Sequence, residues 1–460
     1  MTDNRTTYRV SLAGKKATLL GLGARTNVEL ARYLVRRGAA VTITDRKPAE
    51  ALALEIGLLG DLPVRLVLGG HPEEVFFGAD VVFVTPGAPR DLPVLVETRK
   101  RGIEISSEIE LLFAECRSPI VGITGSSGKT TTTTLVGMIL AADGQRVYVG
   151  GNIGVPLIDR LDEIGDDSWV VLELSSFQLE EMKASPRIAA VLNVTPNHLD
   201  RHKTMEAYTA AKANILLHQR PEDQAVLGLD DPIASSLAPL CRGSVAYFSH
   251  EREVEAGAWL RGGAVCLRRG SVDEEICRTG EIRLRGEHNV WNVLAASAIS
   301  GAAGASREAI RSIVTSFAGV EHRIEPVRTL DGVTYYNESI ATTPERTVAA
   351  LRSFAEPIVL LVGGRSKHLP LDQLASLAAA KCRAVVTFGE MADEVRAAFG
   401  ESPSVDIRAG GDLESAVELA RSLARPGDVV LLSPAGTSFD AFRDFEFRGV
   451  RFKEIVRGLR

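Results

Sequence analysis

Apolar residues fall along this chain in short, often β-branched runs, and stretches with helical spacing separate them. The first such group is "KATLLGLGARTNVELARYLVRRGAAVTITDRKP", which reads as strand, glycine turn, helix and a second strand ending in Asp45. A further strand, "ADVVFVTPGAP", ends at Thr85-Pro86-Gly87. Pro119 to Ile123 forms another β-branched run, and from Thr130 onward Leu135, Val136, Met138, Ile139 and Leu140 cluster as on the buried face of a helix. "SWVVLELSSFQLE" is a strand ending in Glu173 before an amphipathic helix, and "AAVLNVTPNHLDRH" is a strand followed by a polar turn. "AYTAAKANILLH" is helical, with Lys212 inside it; spacing alone makes that lysine a solvated surface charge. Residues 244–285 are turn-rich and short-stranded, which predicts an antiparallel appendage or rim. "LRGEHNVWNVLAASAISGAAGA" is a small-residue helix behind the polar cluster His288, Asn289 and Asn292. Near the C-terminus, strands "PIVLLVGG", "AVVTFG" and "DVVLLSPAG" alternate with helices. This alternation predicts an α/β protein of doubly wound sheets. At 460 residues, roughly three domains are expected, over 1–115, 116–320 and 321–460.

Strand ends are where chemistry is expected in such folds. In "IVGITGSSGKTTTTTLVGMIL" a strand, a glycine-rich turn and a helix opening with Lys129-Thr130 make a P-loop pattern. Its backbone N–H groups and helix N-terminus point at an anion, and Lys129 neutralises the β- and γ-phosphates. The match is imperfect, because Ile123 stands where the first glycine is expected. ATP is the expected ligand, and the Thr130 hydroxyl is expected to reach Mg²⁺ or phosphate. Glu173, at the end of an apolar strand, suits a Mg²⁺ ligand, although an ordinary strand-end carboxylate reads the same way. The first glycine turn is an incomplete dinucleotide fingerprint, with Thr26 at its third glycine position. An NAD site, another nucleotide site and an empty turn all stay open there.

Composition narrows the classes. The chain is 45% hydrophobic with net charge −6, which argues against general nucleic-acid binding. No apolar run approaches membrane-spanning length, and "MTDNRTTYRVSLAGKK" has no apolar signal core. Its 5 cysteines lack paired zinc spacing and read as free thiols in a reducing cytoplasm.

Taken in order, "GITGSSGKTT", "GGNIG", "LELSSFQLE", "LNVTPNHLDRH", "AYTAAKANI", "GEHNVWN", "EHR" and "LLSPAGTSFDAFRDFEFRG" resemble the Mur ligase family along nearly the whole chain. The resemblance implies a Rossmann-like N-terminal domain for the UDP substrate, a central P-loop ATPase domain and a C-terminal Rossmann-like domain for the amino acid. The activity implied is ATP-dependent addition of D-glutamate to UDP-N-acetylmuramoyl-L-alanine through an acyl phosphate, in peptidoglycan precursor synthesis. A cytoplasmic monomer using ATP and two Mg²⁺ ions is expected.

The resemblance also assigns residues. ATP would meet Gly125, Ser126, Ser127, Gly128, Lys129, Thr130, Thr131, Asn152, Asn292, Arg323 and Glu338. Catalysis and metal binding would use Lys129, Thr130, Glu173, His198 and Lys212, the last as a carbamate. Such a carbamate needs a neutral amine, and so a depressed lysine pKa. The UDP substrate would lie against Gly23, Ala24, Arg25, Asp45, Thr85, Pro86, Gly87, Asn152, Ser175 and His198. Glutamate's two carboxylates would be held by Thr342, Lys367, Ser438, Phe439 and Phe445.

Some positions depart from the family pattern. "ESIATTP" places Glu338, Ile340 and Thr343 where the family has aspartate, lysine and asparagine, and Ser127 replaces a P-loop asparagine. These changes leave the ATP chemistry alone and bear on the acceptor, so the same ligation with L-glutamate is the alternative. More distant readings fit less well. A folylpolyglutamate synthase lacks the N-terminal module, an NAD-dependent oxidoreductase lacks the P-loop, and a nonenzymatic sensor would not need Lys129, Glu173, His198 and Lys212.

Overall fold

The computed structural model describes residues 12–23, 26–154, 156–284, 286–400 and 405–460, with the side chain of Asp200 left aside. It groups into two compact units. One runs to Ile282 and resumes over Glu287–Ser316; the other comprises Arg283–Gly286 and Phe317–Arg460.

The first unit carries two sheets. In the first, β1 (Lys16–Leu20), β2 (Ala40–Asp45), β3 (Val64–Leu68), β4 (Val81–Val84) and β5 (Glu104–Ser106) run parallel in the order β3-β2-β1-β4-β5. The order reverses between β1 and β4, so the turns after these two strands open into one crevice. Those turns hold Gly21–Gly23 and Thr85–Gly87.

The second sheet comprises β6 (Ile120–Thr124), β7 (Arg146–Gly151), β8 (Ser168–Glu173), β9 (Ile188–Val191), β10 (Gln224–Gly228), β11 (Ser244–Ser249), β12 (Gly257–Arg261), β13 (Ala264–Arg269) and β14 (Val272–Arg278). Its order is β14-β13-β12-β11-β10-β9-β6-β8-β7. β6 lies between β8 and β9, is buried on both faces, and delivers the P-loop at the sheet's carboxyl edge. Gly122 inside β6 has no room for a side chain, since a Cβ there would lie 2.8 Å from Pro186. The helix Lys129–Ala142 packs against the small-residue helix Glu287–Ala302. The antiparallel rim expected over residues 244–285 is formed by β12–β14 at the sheet's edge, but it is continuous with the main sheet rather than appended to it. β11 pairs in parallel with β10, and β12 with β11, so the strands extend the main sheet before it turns antiparallel at β13. Trp259 and Cys266 on these strands join a small core of their own, and that burial recruits the segment.

The second unit holds β15 (Glu325–Leu330), β16 (Val333–Asn337), β17 (Ile358–Gly363), β18 (Cys382–Phe388), β19 (Asp406–Gly411) and β20 (Val429–Ala435), in the order β15-β16-β20-β17-β18-β19. Only the β15–β16 hairpin is antiparallel among its described strand pairs. The carboxyl ends of β16, β17 and β20 are neighbours, which gathers the loops bearing Thr342, Lys367 and Ser438 along one edge. Among the described residues, no helix is long and apolar enough to cross a membrane.

Candidate active site

The P-loop is folded around one side chain. Asn193 Oδ1, at the end of β9, accepts hydrogen bonds from the backbone N–H groups of Ser126 (3.0 Å) and Ser127 (2.9 Å). Ser126 Oγ is 3.0 Å from the Tyr208 hydroxyl and donates to Thr195 O at 2.9 Å. Gly128 takes φ +80°, and a Cβ there would run into Asn292, so only glycine closes this turn. Asn292 thereby lies against the loop, where Thr132 Oγ1 donates to its Oδ1 at 3.5 Å. Lys129 Nζ donates to the carbonyls of Gly125 (2.8 Å) and Ser126 (3.3 Å), which lays its ammonium along the loop.

Glu173 is buried at the end of β8 and is held by two neutral donors. Thr130 Oγ1 donates to its Oε2 at 2.7 Å, and Asn152 Nδ2 donates to its Oε1 at 2.8 Å. This joins the helix that opens with Lys129, the end of β8 and the turn after β7 around one carboxylate. A carboxylate and a hydroxyl this close form a hard oxygen donor pair of the kind Mg²⁺ takes beside phosphates. No group of three or more His, Cys, Asp or Glu that could hold a metal occurs among the described residues.

Lys212 departs from its surface reading. It is 1% exposed, because its helix, Met205–Leu217, also buries Tyr208, Ala211, Ala213, Ile215 and Leu216. Its Nζ donates to Gly125 O at 2.9 Å and Thr124 Oγ1 at 3.4 Å, and stands 4.6 Å from the centre of the Tyr208 ring. Burial, and then the charge of Lys129, push its pKa down to about 7, against a smaller opposing pull from Glu173. A neutral amine is thus accessible within reach of the P-loop.

His198 takes the left-handed region (φ 53°), and its ring centre is 5.1 Å from that of Phe177. Its neighbour Arg201 donates to the carbonyls of Gly87 (2.9 Å) and Ala88 (2.7 Å), joining the His198 turn to the turn after β4. Ser175 caps the short helix Ser176–Leu179 in a capping box with Gln178. In the first crevice, Asp45 Oδ2 accepts from Leu22 N at 2.7 Å, and a Cβ on Gly21 would lie 3.7 Å from Thr85 Oγ1. Asp45, the glycine turn and Thr85 therefore converge. Ala24 and Arg25 lie outside the described residues.

In the second unit, Lys367 Nζ donates to Thr342 Oγ1 at 3.3 Å, so two predicted acceptor residues meet. Ser438 is buried, and Phe445 opens the helix Phe445–Gly458. Phe439 points away from the core and is 58% exposed. Glu338 is buried and accepts from Ile324 N; burial raises its pKa to about 7 despite the nearby Arg323. Arg323 sits between two residues in the left-handed region, His322 (φ 62°) and Ile324 (φ 43°).

Sequence reasoning missed Asn193, Tyr208, Arg201 and Arg448. Arg448 is 0% exposed and donates to Ser339 Oγ (3.0 Å), Ser339 O (2.9 Å), Gly436 O (3.1 Å) and Thr437 O (3.1 Å). It holds the loops after β16 and β20 against the last helix, beside Ser438 and Phe445. Replacing it with methionine strands these acceptors, at an expected cost of about 3 kcal/mol. A clear drop in Tm is expected, and a variant as stable as the parent would show that water serves these carbonyls equally well.

Comparison with known proteins supports one family throughout. Residues 15–107 match the Mur ligase MurD-like N-terminal domain, 123–300 the Mur ligase middle domain and 322–436 the Mur ligase glutamate ligase domain. The UDP-N-acetylmuramoylalanine–D-glutamate ligase of Symbiobacterium thermophilum is 48% identical over 450 residues, spanning 97% of this chain and 98% of that protein. The ligase of the same name from Acetivibrio thermocellus is 41% identical over 459 residues, spanning 98% of each chain. Among solved structures, the UDP-N-acetylmuramate–alanine ligase of Thermotoga maritima is similar with a TM-score of 0.57 at 19% identity. That match covers 96% of this chain and 99% of that one, and shows a shared fold. Since the likeness in sequence runs the length of both the P-loop sheet and the sheets flanking it in the chain, this protein belongs to the Mur ligase family.

Proposed function

We propose that this chain joins D-glutamate to UDP-N-acetylmuramoyl-L-alanine with consumption of ATP. The observation that carries the ATP half is the Thr130–Glu173 contact at the mouth of the P-loop, with Lys129 beside it. The full-length likeness to D-glutamate ligases supports the acceptor half.

An amide does not form from a carboxylate and an amine in water without activation, because the carboxylate has no good leaving group. The terminal carboxylate of the alanine attacks the γ-phosphorus of ATP, an O–P bond forms, and ADP departs. The amino group of glutamate then attacks the acyl carbon, a C–N bond forms, and inorganic phosphate leaves as the nitrogen loses a proton. Two anions meet in the first step. Lys129 and the N–H groups of 128–131 are assigned to the β- and γ-phosphates, where their charge counts most as the phosphoryl group moves, while the N–H groups of Ser126 and Ser127 are taken by Asn193 and shape the loop. Thr130, Glu173, His198 and a carbamate on Lys212 are the residues proposed to hold two Mg²⁺ ions, which supply positive charge to the phosphate oxygens. The amine of Lys212, buried and pushed down to about 7, suits attack on CO₂. The crevice of Asp45 and Thr85–Gly87 is assigned to the uridine diphosphate, with Ser175 toward the muramoyl group.

Residues 1–115 are assigned to the nucleotide substrate, 116–320 to ATP and 321–460 to the acceptor. The enzyme is proposed to act as a cytoplasmic monomer. The deciding measurement is kcat/KM for D- and L-glutamate with the same nucleotide substrate. The D form is expected to react at least about a hundredfold faster, because a misplaced amine loses its line of attack on the acyl carbon. Faster reaction of the L form would transfer the protein to the L-glutamate alternative.

A further inference from the structure

The loop after β16 carries a cation that the reading of Thr342, Lys367 and Ser438 leaves out. Arg346 lies in the first turn of the helix Pro344–Arg352, four positions beyond Thr342. Its Nη1 donates to Ile340 O at 3.0 Å, which turns the guanidinium back over the loop bearing Thr342. That loop is firmly placed. Ala435 N donates to Ala341 O at 2.9 Å, and Thr347 Oγ1 on the same helix donates to Ser433 O at 3.2 Å. Arg346 thus starts from an element anchored on β20.

Its charge acts at two places. It works with burial to lower the pKa of Lys367, and it works with Arg323 to oppose the rise in that of Glu338. Glu345 stands beside Lys367 and opposes that lowering, and Glu338 is itself buried. Two cations that act on each other across this loop repel, and an anion between them relieves that repulsion. A guanidinium also offers a planar pair of donors that fits a carboxylate edge on, which an ammonium cannot do.

We propose that Arg346 is a specificity-determining residue that, with Lys367 and the Thr342 hydroxyl, clamps one carboxylate of the acceptor amino acid. This rests on the acceptor assignment above. The second carboxylate is then left to Ser438 and the N-terminus of the helix at Phe445. The chain keeps two cations in the acceptor corner although Ile340 carries none, because Arg346 reaches in from the following helix.

The test is steady-state kinetics of the full-length enzyme with D-glutamate, ATP and UDP-N-acetylmuramoyl-L-alanine. Arg346→Ala is expected to raise KM for glutamate at least about thirtyfold. KM for ATP and for the nucleotide substrate should stay within about threefold, because neither depends on the acceptor clamp. Arg346→Gln keeps a donor for Ile340 O while removing the charge, and the same rise in glutamate KM is expected at unchanged Tm. Arg346→Lys should recover part of the affinity. If Arg346→Gln binds glutamate like the parent, the residue merely braces the loop and the proposal fails. An equal rise in all three KM values would also overturn it. A parent enzyme that does not turn over D-glutamate would instead refute the acceptor reading itself, so the two failures are distinct.

Discussion

Lys129→Ala is expected to lower kcat/KM at least about a hundredfold while leaving the fold intact. The loss follows from removing a positive charge aimed at a phosphoryl group in flight, a contribution on the order of several kcal/mol. Stability should change little. Nζ bonds to the loop carbonyls of Gly125 and Ser126, so the expected cost is on the order of 1 kcal/mol. Product formation at saturating ATP, with thermal unfolding alongside, separates the two effects. Turnover within about tenfold of the parent would remove the P-loop assignment.

Lys212 gives the other large effect. Lys212→Ala should be nearly inactive and partly restored by acetate, which can place a carboxylate in the space vacated. Lys212→Arg should stay inactive, because it keeps a positive charge and adds bulk to a side chain that is only 1% exposed. A readout independent of turnover is the carbamate carbon signal by NMR after exposure to isotopically labelled CO₂, present in the parent and missing from the alanine variant. An active arginine variant, or a parent without that signal, would leave Lys212 as a buried amine bonded to Gly125 and Thr124.

What the sequence disclosed was mostly local. The P-loop was readable because strand, glycine turn and helix are contiguous, and the short run at Ile120–Thr124 needs no distant partner to be recognised. The ends of β4, β8 and β20 were legible for the same reason. Lys212 was misplaced by spacing alone because the exposed positions of its helix, Glu206, Ala207, Ala210 and Leu217, are mostly apolar, so no polar face marks where a lysine should point. Its flanking alanines and the lack of an amphipathic pattern were the available signal. That the rim over 244–285 is continuous with the main sheet was not legible, because the parallel pairing of β11 with β10 is a long-range event that turn composition does not encode. Arg448 inverts expectation: it is buried while Phe447 and Val450 on the same helix are exposed, since loop carbonyls rather than apolar side chains surround it. Arg346 was passed over because its bearing on Lys367 comes from the chain doubling back at Ile340.

The division of the chain has an evolutionary meaning. The P-loop, Glu173 and Lys212 all belong to one unit, while Thr342, Lys367, Arg346 and Ser438 all belong to the other. On the proposed assignments, selection could rewrite the choice of amino acid through a few codons after β16, β17 and β20 without disturbing the residues assigned to phosphate. If the second unit is the acceptor module proposed above, a chimera that joins this chain's first unit to the second unit of a sister ligase should take the sister's amino acid, and that exchange is the corresponding laboratory experiment.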